Sequence, residues 1–290
     1  MRDIKTKMVK RAEKLNQIFQ ERNCSFQITY ESEIIINRGR RDAYSFRSEI
    51  YNVTPIMYFN EEWWVFSDEE LADYMEKIFA EHAKKVNARE YLSREYILSH
   101  VRPVLLSADN IPILEEKDIV YMHYLDMVLS FELILEEDEE GTSAIKIKRW
   151  NLKNTIKEIS MEELLLAAQR YILKNYEIQE IDDALEEGGY DKEDYADKPS
   201  IYVVTTKNHV KGAAAILSPE VLNQLTEKLG TETILFLPAS IHEMMAVAAE
   251  DLDIDHAKNM VRVANRTIVE PENRLTDSVY ILENGMITNV

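Results

Sequence analysis

Residues 201–237 read IYVVTTKNHVKGAAAILSPEVLNQLTEKLGTETILFL, and the order of elements in this stretch decides the fold class. Ile201 to Thr205 is an apolar, β-branched run of strand length. Lys207-Asn-His-Val-Lys-Gly212 turns the chain, and Ala213 to Leu217 is expected to return as a second strand. Ser218-Pro219-Glu220 starts a helix, with serine at the cap and proline at the first helical position, where no amide is needed. Gly230 stops that helix, because glycine enters the left-handed region after the last turn without steric cost. Thr233 to Leu237 is another strand.

Downstream, Ser240-Ile-His-Glu243 has the spacing of a capping box and predicts a helix through about Ala249. A short helix over roughly Asp255 to Asn265 follows. Val279–Leu282 and Met286–Thr288 form a terminal hairpin around Asn284-Gly285. The C-terminal order ββαβα-(α)-ββ predicts the α+β class, with mixed, mostly antiparallel sheets packed against several helices.

Upstream, Ile4, Met8, Ala12, Leu15 and Phe19 recur at spacings of three and four, which predicts a helix over 3–22. Alternation at Phe26, Ile28 and Tyr30, and again at Ile34 and Ile36, predicts a strand pattern that ends in a turn at Asn37-Arg38-Gly39. Further strands are expected over 44–51 and 53–59, with Pro55 marking an edge or a bulge. Ser67-Asp-Glu-Glu70 and Ser160-Met-Glu-Glu163 are capping boxes. Another helix is expected from about Ser93, before Pro103. Val120 to Leu135, with Asp126 inside it, reads as a buried strand or strands, and Glu136 to Gly141 as a polar loop leading to a strand at Ile145 and Ile147. Acidic residues 177–198, with Gly188-Gly189 and Pro199, read as a connector. The expected division is 1–150, 151–198 and 199–290, which could pack as one unit.

The chain has 290 residues and a formal net charge of −19. Residues 1–47 hold 11 Lys/Arg against 6 Asp/Glu, so the remainder is the acidic part. An acidic body repels phosphates, which disfavours direct nucleic-acid binding. Seven Gly and seven Pro are too few for a sandwich of many tight turns. A single cysteine, Cys24, excludes an internal disulfide and a cysteine-built zinc site. The N-terminus is charged from Arg2 and shows no signal peptide, and no apolar run approaches a membrane span. Cytoplasmic localisation is therefore expected.

The chemical motifs are incomplete. His242-Glu243 lacks the second histidine that zinc would need four residues on, since position 246 is alanine. Ser240, His242 and Asp277 supply the residue types of a catalytic triad, but without a nucleophile elbow and with Ser240 assigned to the helix cap. The five carboxylates at 136–140 lack the spacing of a calcium loop. No phosphate-binding glycine loop occurs, and the six histidines form no pair on one helix turn. No cofactor and no metal site is expected. Cys24 beside Phe26 reads as a core residue. Trp63 and Trp64, with Glu61 and Glu62 beside them, suit a core or a protein–protein patch better than a base-stacking groove. Together with Arg38, Arg40 and Arg41 they are the candidate binding residues.

Several segments resemble a known family in order and spacing. They are Asn52-Val-Thr-Pro-Ile-Met-Tyr-Phe-Asn60, His100 to Leu129 with Tyr124-Leu-Asp126, and Ser160-Met-Glu-Glu-Leu164. They continue through Ile201-Tyr-Val-Val-Thr-Thr-Lys207, Leu237-Pro-Ala-Ser-Ile-His-Glu243, Asn265-Arg-Thr, Leu275-Thr-Asp277 and Tyr280. The chain resembles the uncharacterised family catalogued as domain of unknown function 5688, a group from Firmicutes, mostly clostridial. The resemblance implies one conserved unit and a bacterial or mobile-element source; it supplies no activity.

The expectation is a non-enzymatic binding or regulatory protein that acts through a protein partner. A specific form is an acidic decoy of a phage or mobile element that imitates nucleic acid at a defence protein. The alternative is a hydrolase or metal-dependent enzyme centred on Ser240, His242 and Asp277.

Overall fold

A computed structural model describes residues 2–36, 39–87, 91, 93–138, 141–149, 159–181 and 199–290, with backbone alone at 2–3, 32–36, 39–40, 138 and 141. The class is α+β. Contacts divide the chain into two compact units, Met1–Tyr91 and Leu92–Val290. Segment 101–146, grouped by the sequence with the N-terminal region, shares its unit with the C-terminal sheet. No helix among the described residues is long and apolar enough to cross a membrane.

In the first unit, α1 (Arg2–Glu21) packs with a three-stranded antiparallel sheet of order β1 (Gln27–Ile36), β2 (Gly39–Arg47), β3 (Ile56–Tyr58), and with α2 (Asp68–His82). The predicted stripe of α1, Met8, Ala12, Leu15 and Phe19, enters one core with Tyr44, Phe46, Met75 and Phe79. Phe26 stacks on Phe79 at 4.2 Å between ring centres, and Tyr44 on Trp63 at 5.6 Å. β3 is the edge strand that Pro55 announces. β2 stops at Arg47, short of the expected Tyr51, because the Ser48 hydroxyl accepts the N–H groups of Ile50 and Tyr51 and bends the chain. Ser67 caps α2 as the spacing predicts: its hydroxyl accepts the Glu70 N–H, and the Glu70 carboxylate accepts the Ser67 N–H. The turn at 37–38 lies outside the described residues.

Among the described residues, the second unit holds two sheets. The larger is antiparallel throughout, in the order β13 (Met286–Asn289), β12 (Tyr280–Glu283), β10 (Ile234–Pro238), β11 (Met244–Ala248), β9 (Ile201–Thr206), β8 (Tyr176–Glu180). In the other, β6 (Met127–Asp138) lies between β4 (Val101–Ser107) on one side and β5 (Tyr121–Tyr124) with β7 (Gly141–Lys146) on the other. The helices are α3 (Arg94–His100), α4 (Ile111–Glu116), α5 (Met161–Asn175), α6 (Pro219–Leu229) and α7 (Ile254–Thr267). Pro103 is tolerated because β4 pairs on one side only. Ser160 and Glu163 form the second predicted capping box, and Gly230 takes φ 67°. The terminal hairpin turns on Asn284 and Gly285, both at positive φ, as a two-residue turn of primed type requires.

Several elements depart from the sequence reading. Ala213–Leu217 belongs to a 3-10 helix, Gly212–Leu217, rather than a returning strand. A five-residue apolar run carries no period that separates the two. Ser240–Ala249 does not form a helix. Residues 239–243 make a tight turn, and 244–248 are β11, paired with β10 on one side and β9 on the other. The Ser240 hydroxyl accepts the His242 N–H, two residues on, rather than the Glu243 N–H. Two full ladders outweigh the helical preference of five residues. Ser218 makes no cap bond; its hydroxyl donates to Glu220. The acidic run from Glu136 continues β6 to Asp138, and residues 177–180 are strand; 139–140 and 182–198 lie outside the described residues.

The turn between β5 and β6 is tied to β12. Asp126 accepts hydrogen bonds from the hydroxyls of Thr276 (2.9 Å), Ser278 (2.7 Å) and Tyr280. Partial burial acts to raise the Asp126 pKa, but the three hydroxyls outweigh it and hold the carboxyl below its usual value. Tyr280 is fully buried, and its hydroxyl pKa is raised by that burial and by Asp126. Tyr280→Phe is expected to cost about 1 kcal/mol in urea denaturation, because Asp126 is exposed enough for water to replace the lost donor in part.

Candidate functional site

Strand pairing places Arg102 of β4, Glu132 of β6 and Lys146 of β7 directly opposite one another in one cross-strand row. Directly paired residues share a face of the sheet, so the three side chains meet. Arg102 Nη2 donates to Glu132 Oε2 at 2.8 Å, and Lys146 Nζ to Oε1 at 3.2 Å. A third cation comes from the loop after β9: Lys211 Nζ donates to the same Oε1 at 2.6 Å. Arg102 and Glu132 are buried, at 2% and 5% exposure. The lysine side chains are about a quarter exposed and form the solvent side of the cluster.

Burial alone would raise the Glu132 pKa; Lys146, Lys211 and Arg102 outweigh it and hold the carboxyl far below its usual range. Lys211 moves the other way for a lysine. Its desolvation, with Lys146 and Arg102 nearby, exceeds the pull of Glu132 and lowers its pKa. The Tyr171 hydroxyl lies beside Arg102 and Glu137, and its pKa is raised chiefly by burial. Nε and Nη1 of Arg102 are buried and have no hydrogen-bond partner among the described residues.

The loop that delivers Lys211 is strained and braced. His209 and Lys211 take φ 54° and 57°, a region that costs non-glycine residues about 1 kcal/mol or more. The Thr206 hydroxyl and the Asn208 amide oxygen both accept the Val210 N–H, and the His209 N–H bonds Thr206 O at 2.7 Å. Gly212 closes the loop where no side chain fits, since a Cβ there would lie 2.4 Å from the Thr206 amide nitrogen. The left-handed Lys211 aims its N–H at His242 Nδ1 (3.1 Å) while its side chain reaches Glu132. One residue thus joins the charged row to the turn between β10 and β11.

His242 is held at both ring nitrogens. Nδ1 accepts from Lys211, so the proton sits on Nε2, which donates to Asn273 Oδ1 at 3.2 Å. Ser240 Oγ accepts the His242 backbone N–H. Asp277 lies elsewhere, where its Oδ1 accepts from Asn265 Nδ2 at 2.7 Å. No hydrogen bond between any two of the Ser240, His242 and Asp277 side chains occurs among the described residues, so neither nucleophile–base nor base–orienter contact is made.

In the first unit, Trp63 is buried, whereas Trp64 is 41%, Val65 85% and Phe66 39% exposed. The Arg41 guanidinium lies 6.0 Å from the Tyr58 ring centre. Arg38 and the Arg40 side chain lie outside the described residues. Within the acidic run, Glu137 accepts from Asn208 (2.5 Å) and Thr142 (3.3 Å). No group of three or more His, Cys, Asp or Glu suited to a metal occurs among the described residues.

Sequence reasoning missed Arg102, Glu132, Lys146 and Lys211. The one available signal was Glu132, a lone carboxylate within the apolar run 127–135.

Two outcomes follow from this geometry. Because Glu132 has a lower pKa folded than unfolded, the unfolded chain binds its proton more readily. Its stabilisation is complete above the usual carboxylate value of about 4.3 and is lost as pH falls through and below it. Glu132→Gln is expected to destabilise the protein at pH 7 by about 3–5 kcal/mol and to flatten the acid limb of chemical denaturation measured against pH. Gly212→Ala is expected to lower stability by about 1–3 kcal/mol in the same measurement.

No curated protein and no solved structure shows significant similarity to the chain. One family model, described as a family of unknown function (DUF5688), matches residues 6–283. That match spans both units and nearly the full length, and the chain belongs to this family of unknown function.

Proposed function

We propose that the chain is a non-enzymatic binding protein that acts through a protein partner, docked on the ridge Trp64-Val65-Phe66 of the first unit. The observation that carries this reading is Arg11. This buried arginine donates to the backbone carbonyls of Trp63, Phe66 (2.6 Å) and Ser67 (3.3 Å), and to Asp68 Oδ1 (2.9 Å). It fixes from beneath a turn whose side chains face water. The Phe59 ring flanks Trp63 and Trp64 at 5.9 and 5.6 Å. A mobile loop can hide apolar side chains; a turn held at four acceptors presents them. Rigid aromatic and apolar groups at low entropic cost are the usual anchors of interfaces. The exposed Glu61 and Glu62 beside them suit a partner with a basic rim.

The net charge of −19 favours a second reading, the acidic decoy of a phage or mobile element. Salt separates the two, because apolar contacts persist when charges are screened. The hydrolase or metal-dependent alternative at Ser240, His242 and Asp277 draws no support from the bonds that those residues make.

Affinity capture from a bacterial lysate, run at low and high salt with wild type and Val65→Asp/Phe66→Asp, tests the reading. A partner retained at high salt, and lost in the double variant without a change in its melting temperature, is expected. A partner bound equally by the variant rules out the ridge; one released by salt alone fits the decoy.

A further inference from the structure

Around Glu132 the charges do not balance. Arg102, Lys146 and Lys211 bring three positive charges to one carboxylate. Both carboxylate oxygens are used: Oε2 takes Arg102 Nη2, and Oε1 takes both lysines. Nε and Nη1 of Arg102 are buried and make no hydrogen bond of ordinary geometry among the described residues, although the Tyr171 hydroxyl lies beside the guanidinium. Buried donors and charges are ordinarily paired, because desolvation without compensation is unfavourable. Among the described residues, the row brings about two more positive charges than Glu132 supplies negative ones, and more donors than its two oxygens can accept. A structural ion pair alone would need one cation, and the strained loop that adds Lys211 makes the imbalance larger.

We propose that the row formed by Arg102, Lys146 and Lys211 is a binding site for a phosphate group of a small phosphate ester. A phosphate monoester carries about −1.5 to −2 charge at neutral pH and presents three acceptor oxygens, which matches the excess in both charge and donors. The lysines, about a quarter exposed, are the solvent side of the row where a phosphate would meet it, and the arginine is on the buried side. Lys211 couples occupancy to the turn at 239–243, because its own N–H holds His242. The site lies in the second unit and stands or falls separately from the ridge at 64–66.

The test is isothermal titration calorimetry of the full chain with inorganic phosphate at pH 7.5 and low salt, with acetate as a singly charged comparison. One saturable phosphate site, stronger than acetate, is expected. Lys146→Met and Lys211→Met are each expected to weaken phosphate roughly tenfold or more, as loss of one charge-assisted bond implies. Lys146 is the milder change, since it sits on a regular strand at the solvent side. Absence of saturable phosphate binding, equal binding of acetate, or undiminished binding by both folded variants overturns the proposal. A cluster that relieves its charge by losing the Lys211 proton gives the first of these outcomes.

Discussion

A carboxylate on the middle strand of a sheet, beneath a helix and a loop, sets terms for everything around it. Glu132 cannot remain charged in that position without cations, and it cannot be protonated at neutral pH while three of them face it. Its neighbours in register are therefore Arg102 and Lys146, which fixes the pairing of β4, β6 and β7. A slip of one residue in β6 would turn Glu132 to the face opposite Arg102 and Lys146. Lys211 completes the arrangement from outside the sheet and obliges the chain after β9 to take two left-handed residues and then a glycine pressed against the Thr205–Thr206 backbone.

The same device recurs on a smaller scale. Asp126 gathers three hydroxyls from the segment leading into β12 and so joins the two sheets of the second unit. Arg11 gathers three carbonyls and a carboxylate to set the 63–68 turn of the first unit. In each case a single ionised side chain ties down a connecting segment at the edge of regular elements. The difference lies in saturation. Asp126 is matched to its donors, whereas Arg102 retains donors beyond those that Glu132 can accept.

Much of the fold was legible in local pattern. The stripe of α1, the capping boxes at Ser67 and Ser160, the stop at Gly230 and the hairpin at Asn284-Gly285 depend on neighbours within a few residues, and each is found in the structure. The reading failed where the deciding partner was distant in sequence. Ser240-Ile-His-Glu243 carries the spacing of a capping box, but Ser240 accepts the His242 N–H because residues 244–248 are claimed by β9 and β10. Ala213–Leu217 has no period, so packing alone chose the 3-10 helix.

The sequence by itself determined the α+β class, the positions of most helix ends and the acidic balance, because propensity, capping and charge are properties of short segments. Only the tertiary structure decided which polar residues meet. Arg102, Glu132, Lys146 and Lys211 span more than a hundred positions and share no motif; strand register and one left-handed loop bring them together. Ser240, His242 and Asp277, which stand closer in sequence, each bond other partners among the described residues: the His242 backbone N–H, Lys211 with Asn273, and Asn265. The reason is the same in both cases: a side chain's chemistry is set by the groups that reach it in space, and a pattern along the chain does not contain them.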